Sequence, residues 1–327
     1  LSEKLVTEDE FGYEIGTGRY MVEEWIPGDQ ISFVRYDGFY GEPAPTRRIV
    51  FRLIKEESSR LIALQTGEID AFSTRSYSAA FNRRLSSVMT TDYSTASYEL
   101  LVPNLRASSP MSDQRVRQAV MYAIDRATLV SNAYLEMAQQ SEVPIVPGTW
   151  LYESQSAIYY YSPERALQLL NEAGWTSLTS PAKLSRIGED GLIEDLSIRI
   201  VTYTDDISSV RTNAAEQIAA NLRAVGVQVT VLSGSIDQVT DAIADGRYDL
   251  ALVGVNLSEV PNLRPLLTGD GALNFSGATS AEMDALLART FTAATEEEMI
   301  DAYSDLQMFI VERLPFLGLV FRTGSVL

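Results

Sequence analysis

The sequence predicts an α/β fold, a sheet covered on both faces by helices. Two observations carry that expectation. Strand-like and helix-like patterns alternate along most of the 327 residues. Twice they read as strand, helix, strand with a glycine closing the helix, at Gly67 and at Gly226. Such units build parallel crossovers. At 46% hydrophobic and 21% charged, the chain can bury a sizeable core.

Taken in order, residues 1–54 read as strands and turns. Gly16, Gly18, Gly28 and Gly38 punctuate runs such as Tyr20–Trp25 and Gln30–Tyr36. Ile31, Phe33 and Arg35 alternate with Ser32, Val34 and Tyr36, the two-residue period of a strand. Arg48–Ile54 reads as a strand, Glu56–Thr66 as a helix and Ile69–Phe72 as the next strand. Gly67 is the expected residue after the helix, since glycine takes positive φ without a Cβ clash. Ala79–Arg84 is expected to be a short helix and Tyr93–Leu105 an extended segment.

Met111–Val130 reads as one amphipathic helix. Ser112 and Asp113 suit its start, and Val116, Ala119, Val120, Ala123 and Ile124 form one apolar stripe. Ser162 and Pro163 open another helix, which stops at Gly174. Trp175–Gly191 reads as a surface loop.

Leu196–Tyr203 and Val227–Leu232 read as strands around a helix over Ser208–Val225. Ile236–Ala244 follows as a helix and Tyr248–Val255 as a buried strand. Asn256–Gly277 is a loop rich in Pro, Asn and Gly. Ser280 caps Ala281–Thr290. Thr295 with Glu298 forms a capping box for a helix to Arg313, and Phe316–Phe321 is a terminal strand.

The net charge is −18, divided as −5 over residues 1–99 and −13 over 100–327. Such a surface repels nucleic acid and anionic lipid headgroups. Cysteine is absent, which fits an exported protein without disulfides. Histidine is absent too, which excludes Ser-His-Asp triads, Cys-His dyads and histidine-ligated zinc. No run approaches the roughly 18 apolar residues of a membrane span. LSEKLVTEDE lacks a signal-peptide layout, so for an exported protein the expectation is a signal that was removed or that was never part of this sequence.

No assembled catalytic motif is present. Ser180 and Lys183 have S-x-x-K spacing but no partner motif. Gly16-Thr17-Gly18 is not followed by the Gly-Lys-Ser/Thr of a phosphate loop. Gly188–Gly191 lacks the alternating oxygen ligands of a calcium loop. No cofactor is expected. In open α/β folds ligands sit beyond the C-terminal ends of parallel strands. That points to the loops after Tyr203 and Val255.

Several stretches carry a resemblance. RVRQAVMYAID at Arg115–Asp125 resembles the "RVRQAL-x-x-AID" signature of family 5 extracellular solute-binding proteins, the peptide- and nickel-binding receptors of ABC importers. GTGRYMVEEWIPGDQISFVRYDGFYG, RLIALQTGEIDAF, SYELLVPNLRASSP, SPERALQLLNEAGW, YDLALVGV and NFSGATSAEMDALL each resemble further blocks of that family. Arg19 departs from its usual proline.

The resemblance implies a periplasmic-binding-protein-like lobe of type II, with a mixed sheet flanked by helices, plus part of the other lobe. It divides the chain into a partial first lobe (1–99), a second lobe (100–315) and a return segment (316–327). Family members are longer, so it also implies a truncated chain or proteolytic fragment. The implied function is capture of a small solute, above all an oligopeptide, between two lobes. Delivery goes to a membrane permease, with no reaction performed. The protein would be monomeric and extracytoplasmic, periplasmic or lipid-anchored on the outer face of the cell membrane.

In peptide-binding members an aspartate shortly after the "YDL…G" strand meets the ligand's ammonium group. The matching position is Asn256, which is neutral, and Glu259 could supply the charge. A basic residue after the earlier strand would meet the ligand carboxylate, but the corresponding loop is Thr204-Asp205-Asp206, and Asp205 would repel it. Tyr98 and Asn104, where the chain crosses between lobes, and the aromatic Trp150 complete the ligand-binding candidates. Two other classes stay open: a carboxylate-based α/β enzyme, and a receptor-fold signalling or chaperone module with a protein partner.

Overall fold

The computed structural model describes residues 16–77, 88–180, 183–188, 190–204, 209–258 and 260–327. The chain divides into two compact units, Leu1–Phe72 and Ser73–Leu327. The first holds an antiparallel meander of β1 (Tyr20–Ile26), β2 (Gln30–Arg35) and β3 (Arg48–Arg52), followed by helix α1 (Glu57–Gln65). Phe33 and Phe51 pack edge to face there, ring centroids 5.9 Å apart.

The second unit runs in chain order through β4 (Ser73–Thr74), β5 (Thr91–Pro103), α2 (Gln114–Ala123), β6 (Ala138–Gln140) and α3 (Pro163–Glu172). A small antiparallel sheet follows, of β7 (Thr176–Ser180), β8 (Lys183–Ile187) and β9 (Ile193–Asp195). Then come β10 (Ser197–Tyr203), α4 (Val210–Ala224), β11 (Gln228–Gly234), α5 (Ile236–Ala244) and β12 (Leu250–Asn256). Helices α6 (Ala281–Thr292) and α7 (Glu296–Arg313) precede the final strand β13 (Leu317–Val326).

The main sheet has seven strands, in the order β11-β10-β12-β5-β13-β4, with β6 added on β13. It is mixed: β11, β10 and β12 run parallel, and β5 pairs antiparallel with both β12 and β13. The predicted crossover at Gly226 is formed. Val227 and Leu222 are buried where α4 returns the chain to the sheet edge. Helix α4 packs through Ala214, Ala215, Ile218, Ala219 and Leu222, a stripe of small and apolar residues at helical spacing. Strand β12 buries Leu250 to Val253 in a continuous run, as a strand covered on both faces must. Helix α5 carries the Ser235–Gln238 capping box. Thr295 caps α7 by accepting from the Glu298 N–H, while the Glu298 carboxylate accepts from Ala294.

Several sequence expectations about individual elements are corrected. The crossover at Gly67 is not formed. β3 belongs to the meander, Ile69–Phe72 adds no strand, and β4 pairs antiparallel with β13. Gly67 still closes α1 with φ +75°, and Glu68 N–H returns to the Ala63 carbonyl. The four residues after it seat Phe72 beneath Arg60, 5.8 Å from the guanidinium, instead of entering a ladder.

Met111–Val130 is not one helix. Pro110–Ser112 form a 3-10 turn, and Asp113 caps α2 by accepting from the Arg115 N–H. Ile124 is extended, and Asp125 caps a new helical turn that runs into a wider turn over Leu129–Ala133. The second cap inside the stretch divides it, because a side chain that binds the backbone competes with helix continuation.

Trp175–Gly191 is not a plain loop but enters the β7–β9 sheet. Leu184 is buried, and its backbone bonds to Gly226 and Leu196. The loop after β12 holds a helical turn at Arg264–Leu267. The terminal strand is also longer than read, reaching Val326. The short helix expected at Ala79–Arg84 lies outside the described residues. The lobe boundary expected at 99/100 falls within β5, and β13, which holds most of 316–327, pairs with that strand.

Candidate ligand site

Parallel strands β10 and β12 end side by side, and a cavity of about 320 Å³ opens at those ends. Tyr203 of β10 and Gly254, Val255 and Asn256 of β12 line one side. Thr95, Ser97 and Glu99 of β5, Arg322 and Thr323 of β13, Arg75 and Arg211 complete it. The antiparallel register sets Ser97 opposite Asn256 and Glu99 opposite Gly254. Ser97 Oγ donates to Asn256 Oδ1 at 2.6 Å.

The floor is an ionic cluster. Arg211, in the first turn of α4, donates from Nε and Nη2 to the two oxygens of Glu99, each at 2.9 Å. Both side chains are almost fully buried. The Arg211 guanidinium also lies 4.1 Å from the Tyr203 ring centroid. Such a cation–aromatic contact adds attraction and fixes the ring plane. Arg322 Nη1 approaches Glu99 Oε1 at 3.9 Å, and its guanidinium lies 5.0 Å from the Tyr77 ring. Burial pushes the Tyr77 hydroxyl up to about 12, against the opposing effect of Arg322. Gly254 leaves room for the cluster: a Cβ there would lie 2.8 Å from Arg211 Nη2.

The structure brings only part of the expected site together. Asn256 lines the cavity at its exposed rim. Thr204 follows Tyr203 in sequence but turns to Gly234, donating to its carbonyl from N and Oγ1. Tyr98 faces the opposite side of β5, because successive strand residues alternate between faces. It is fully buried against Phe316 and Phe321. Asn104 is also buried, and its amide nitrogen donates to the carbonyls of Gly246 and Tyr248. Trp150 is half exposed at another hollow, beside Ala293 to Glu296. Asp205 and Glu259 lie outside the described residues.

Glu99, Arg211 and Arg322 were missed by sequence reasoning. One signal was available: a single glutamate inside the apolar run Tyr98–Val102 must find a cation if it is buried. The signature residue Arg117 is structural. It donates to the carbonyls of Met111, Ser112 and Arg313, tying α2 to the end of α7.

A larger hollow of about 1090 Å³ lies at the other end of the sheet, beside Ser197, Arg199 and Asp249. Several of its charges are already engaged: Arg186 with Glu194, Asp195 with Lys183, Asp113 with Arg115, and Asp249 with Ser109 and the Arg199 N–H. Among the described residues no group of three or more acidic side chains is placed to hold a metal. No helix among them is long and apolar enough to cross a membrane.

The profile of "Bacterial extracellular solute-binding proteins, family 5 Middle" matches residues 3–271. The chain is similar to the nickel-binding periplasmic protein of Escherichia coli, 25% identical over 72% of this chain and 44% of that protein. It is similar to the oligopeptide-binding protein AppA of Bacillus subtilis, 22% identical over 98% of this chain and 59% of that protein. The chain thus spans about half the length of these relatives.

Among solved structures, a nickel ABC transporter protein from Bacillus halodurans superposes with TM-score 0.83 at 22% identity. That match covers 97% of this chain and 66% of the other. AppA from Bacillus subtilis, solved with a nonapeptide, gives TM-score 0.66 at 20% identity, covering 94% of this chain and 61% of the other. At such identities the superpositions establish the fold. The matched profile describes binding proteins, and nothing found supports the carboxylate-enzyme alternative. The chain belongs to family 5 of the bacterial extracellular solute-binding proteins.

Proposed function

We propose that this chain is part of the substrate-binding component of an ABC importer. It captures a peptide or related small solute outside the cytoplasm and presents it to a membrane permease. The observation that carries this reading is the cavity at the C-terminal ends of β10 and β12, lined by Asn256, Tyr203 and the Glu99–Arg211 pair. That is where an open α/β sheet offers a ligand both loop donors and strand-end backbone. Family membership supports it, as do the relatives named for nickel binding and oligopeptide binding. The receptor acts as a monomer, in the periplasm or tethered by lipid, and closes two lobes on its ligand by a hinge.

Mass spectrometry of ligand co-purifying with the full-length protein tests this. A recurrent series of short peptides is the expected result. A nickel chelate would redirect the solute within the family. Failure to recover any solute, with no thermal stabilisation by a panel of peptides, chelates and sugars, would overturn the reading in favour of a protein-binding module.

A further inference from the structure

We propose that a hollow beside the start of α6, away from the ligand cavity, binds a small organic carboxylate. Arg117, Arg313 and the N-terminus of α6 meet its charge, and an apolar floor meets its hydrocarbon body. The hollow measures about 440 Å³. Leu105, just past the end of β5, lines it. There Pro103 pairs with Leu250, the first residue of β12, whereas Asn256, the last residue of β12, borders the ligand cavity. The two sites therefore lie at opposite ends of the sheet.

The positive charge at this hollow is not cancelled from within the protein. Arg117 lines it and is only 8% exposed. Its Nη1 and Nη2 donate to the carbonyls of Met111, Ser112 and Arg313, and its buried Nε–H has no acceptor. Asp113 attracts it through space, but both Asp113 oxygens are held by Arg115. Burial accordingly pushes the guanidinium below its usual range. A buried cation that meets only neutral carbonyls, with one N–H unpaired, is short of an anion. Arg313, in the last turn of α7, adds a second guanidinium. Glu282 reaches Arg313 Nη2 only at 3.7 Å, beyond a hydrogen bond, and both side chains are about half exposed.

The start of α6 has the same polarity. Gly277 to Ser280 wall the hollow, and Ser280 caps the helix by accepting from the Met283 N–H. The N–H groups of Ala281 and Glu282 have no acceptor within the helix, as in any first turn, and the helix dipole favours an anion beside them. The floor is apolar: Leu105, Met283, Phe309 and Pro315 line it, the last three buried. An inorganic anion would leave that floor in water. A carboxylate with a short hydrocarbon body covers it while its two oxygens meet the guanidiniums. A few charged groups over an apolar lining, at this volume, is the make-up of a small-molecule site. The wall is also held in place. Leu314, between Arg313 and Pro315, takes φ +52°, a left-handed conformation that costs a leucine energy, and Arg117 fixes that turn through the Arg313 carbonyl.

Calorimetric titration of the 327-residue chain decides this, with hexanoate, hexanamide, acetate and inorganic phosphate as probes. Hexanoate should bind. Hexanamide lacks the charge, and acetate and phosphate lack the apolar body, so each should bind at least about tenfold more weakly. Arg313→Gln removes a half-exposed guanidinium and keeps the carbonyl that Arg117 holds, so the fold should survive. It should weaken hexanoate about tenfold, the loss expected of one charge-assisted hydrogen bond. Glu282→Gln removes the carboxylate that competes for Arg313 and should tighten hexanoate. Both positions lie away from the ligand cavity, so their opposite effects locate the bound probe. No hexanoate binding, equal binding of hexanoate and hexanamide, or an affinity unchanged in both variants overturns the inference. Phosphate binding as tight as hexanoate overturns it too, by showing that the apolar floor takes no part. The receptor reading has its own test, since the solute recovered with the full-length protein does not depend on this hollow.

Discussion

Arg211 holds both carboxylate oxygens of Glu99 at 2.9 Å, joining the first turn of α4 to the middle of β5 across 112 residues. The pair costs desolvation of two charges, and its geometry repays that only while both partners stay. Glu99→Ala takes two charge-assisted hydrogen bonds from a buried guanidinium and should cost about 3–5 kcal/mol of stability by denaturant unfolding. Replacing both, Glu99→Leu with Arg211→Met, should recover most of that loss. A single-variant cost below about 1 kcal/mol, the worth of an exposed pair, would show that the pair is not sealed.

Gly254 sits directly against this pair. A Cβ at residue 254 would stand 2.8 Å from Arg211 Nη2 and 3.0 Å from Glu99 Oε1, closer than carbon contacts allow. Both neighbours are already bound to each other, so neither can retreat freely. Gly254→Ala should therefore cost about 1–3 kcal/mol, as overpacking does, and should weaken binding of any ligand the cavity takes. A melting temperature equal to that of the parent would refute the crowding.

How far the sequence foretold this site follows from strand periodicity. β10, α4, β11, α5 and β12 were legible because each has an apolar period of its own and a glycine or capping residue at its end. The loops at the cavity followed from topology alone. Tyr98 was chosen for its aromatic character, but the residues beside it, Ser97 and Glu99, face the cavity. A sequence read without its sheet register cannot say which face a residue takes, and one step reverses the answer. Arg211 was hidden because a cation in the first turn of a helix opposes the helix dipole and reads as a surface residue. The pairing with Glu99 of β5 explains its burial. Likewise, Gly67 announced a helix end correctly and said nothing of which sheet the chain enters next.

Alkaline pH should destabilise the protein in a defined window. Burial pushes the Tyr77 and Tyr248 hydroxyls up to about 12, from an ordinary value near 10. Arg322 beside Tyr77 and Arg106 beside Tyr248 act in the opposite direction. Between those values the unfolded chain has released protons that the native chain retains. Stability is therefore full below pH about 10 and falls as pH rises toward 12. Tyr248→Phe removes one of the titrating groups and, at neutral pH, only the 3.2 Å bond to the Phe275 carbonyl. Its unfolding free energy should fall less steeply than that of the parent over the same window. Parallel curves would show that Tyr248 keeps its ordinary proton affinity.

Asp125 ends the family signature, and the structure gives it a task that the signature alone does not reveal. Its Oδ1 accepts from the Thr128 N–H at 3.0 Å and its Oδ2 from the Thr128 hydroxyl at 2.6 Å. Its own N–H donates to Asn221 Oδ1 of α4 at 3.2 Å, which ties the break after α2 to the helix beneath it. The carboxylate therefore starts a second helical turn where Ile124 has left helical geometry. Asp125→Ala should cost about 1 kcal/mol, the usual worth of an N-cap, and Asp125→Asn should restore most of it. Both variants keep the backbone bond to Asn221, so the difference between them isolates the side-chain cap. If the asparagine variant is as unstable as the alanine one, the negative charge rather than the capping geometry carries the effect.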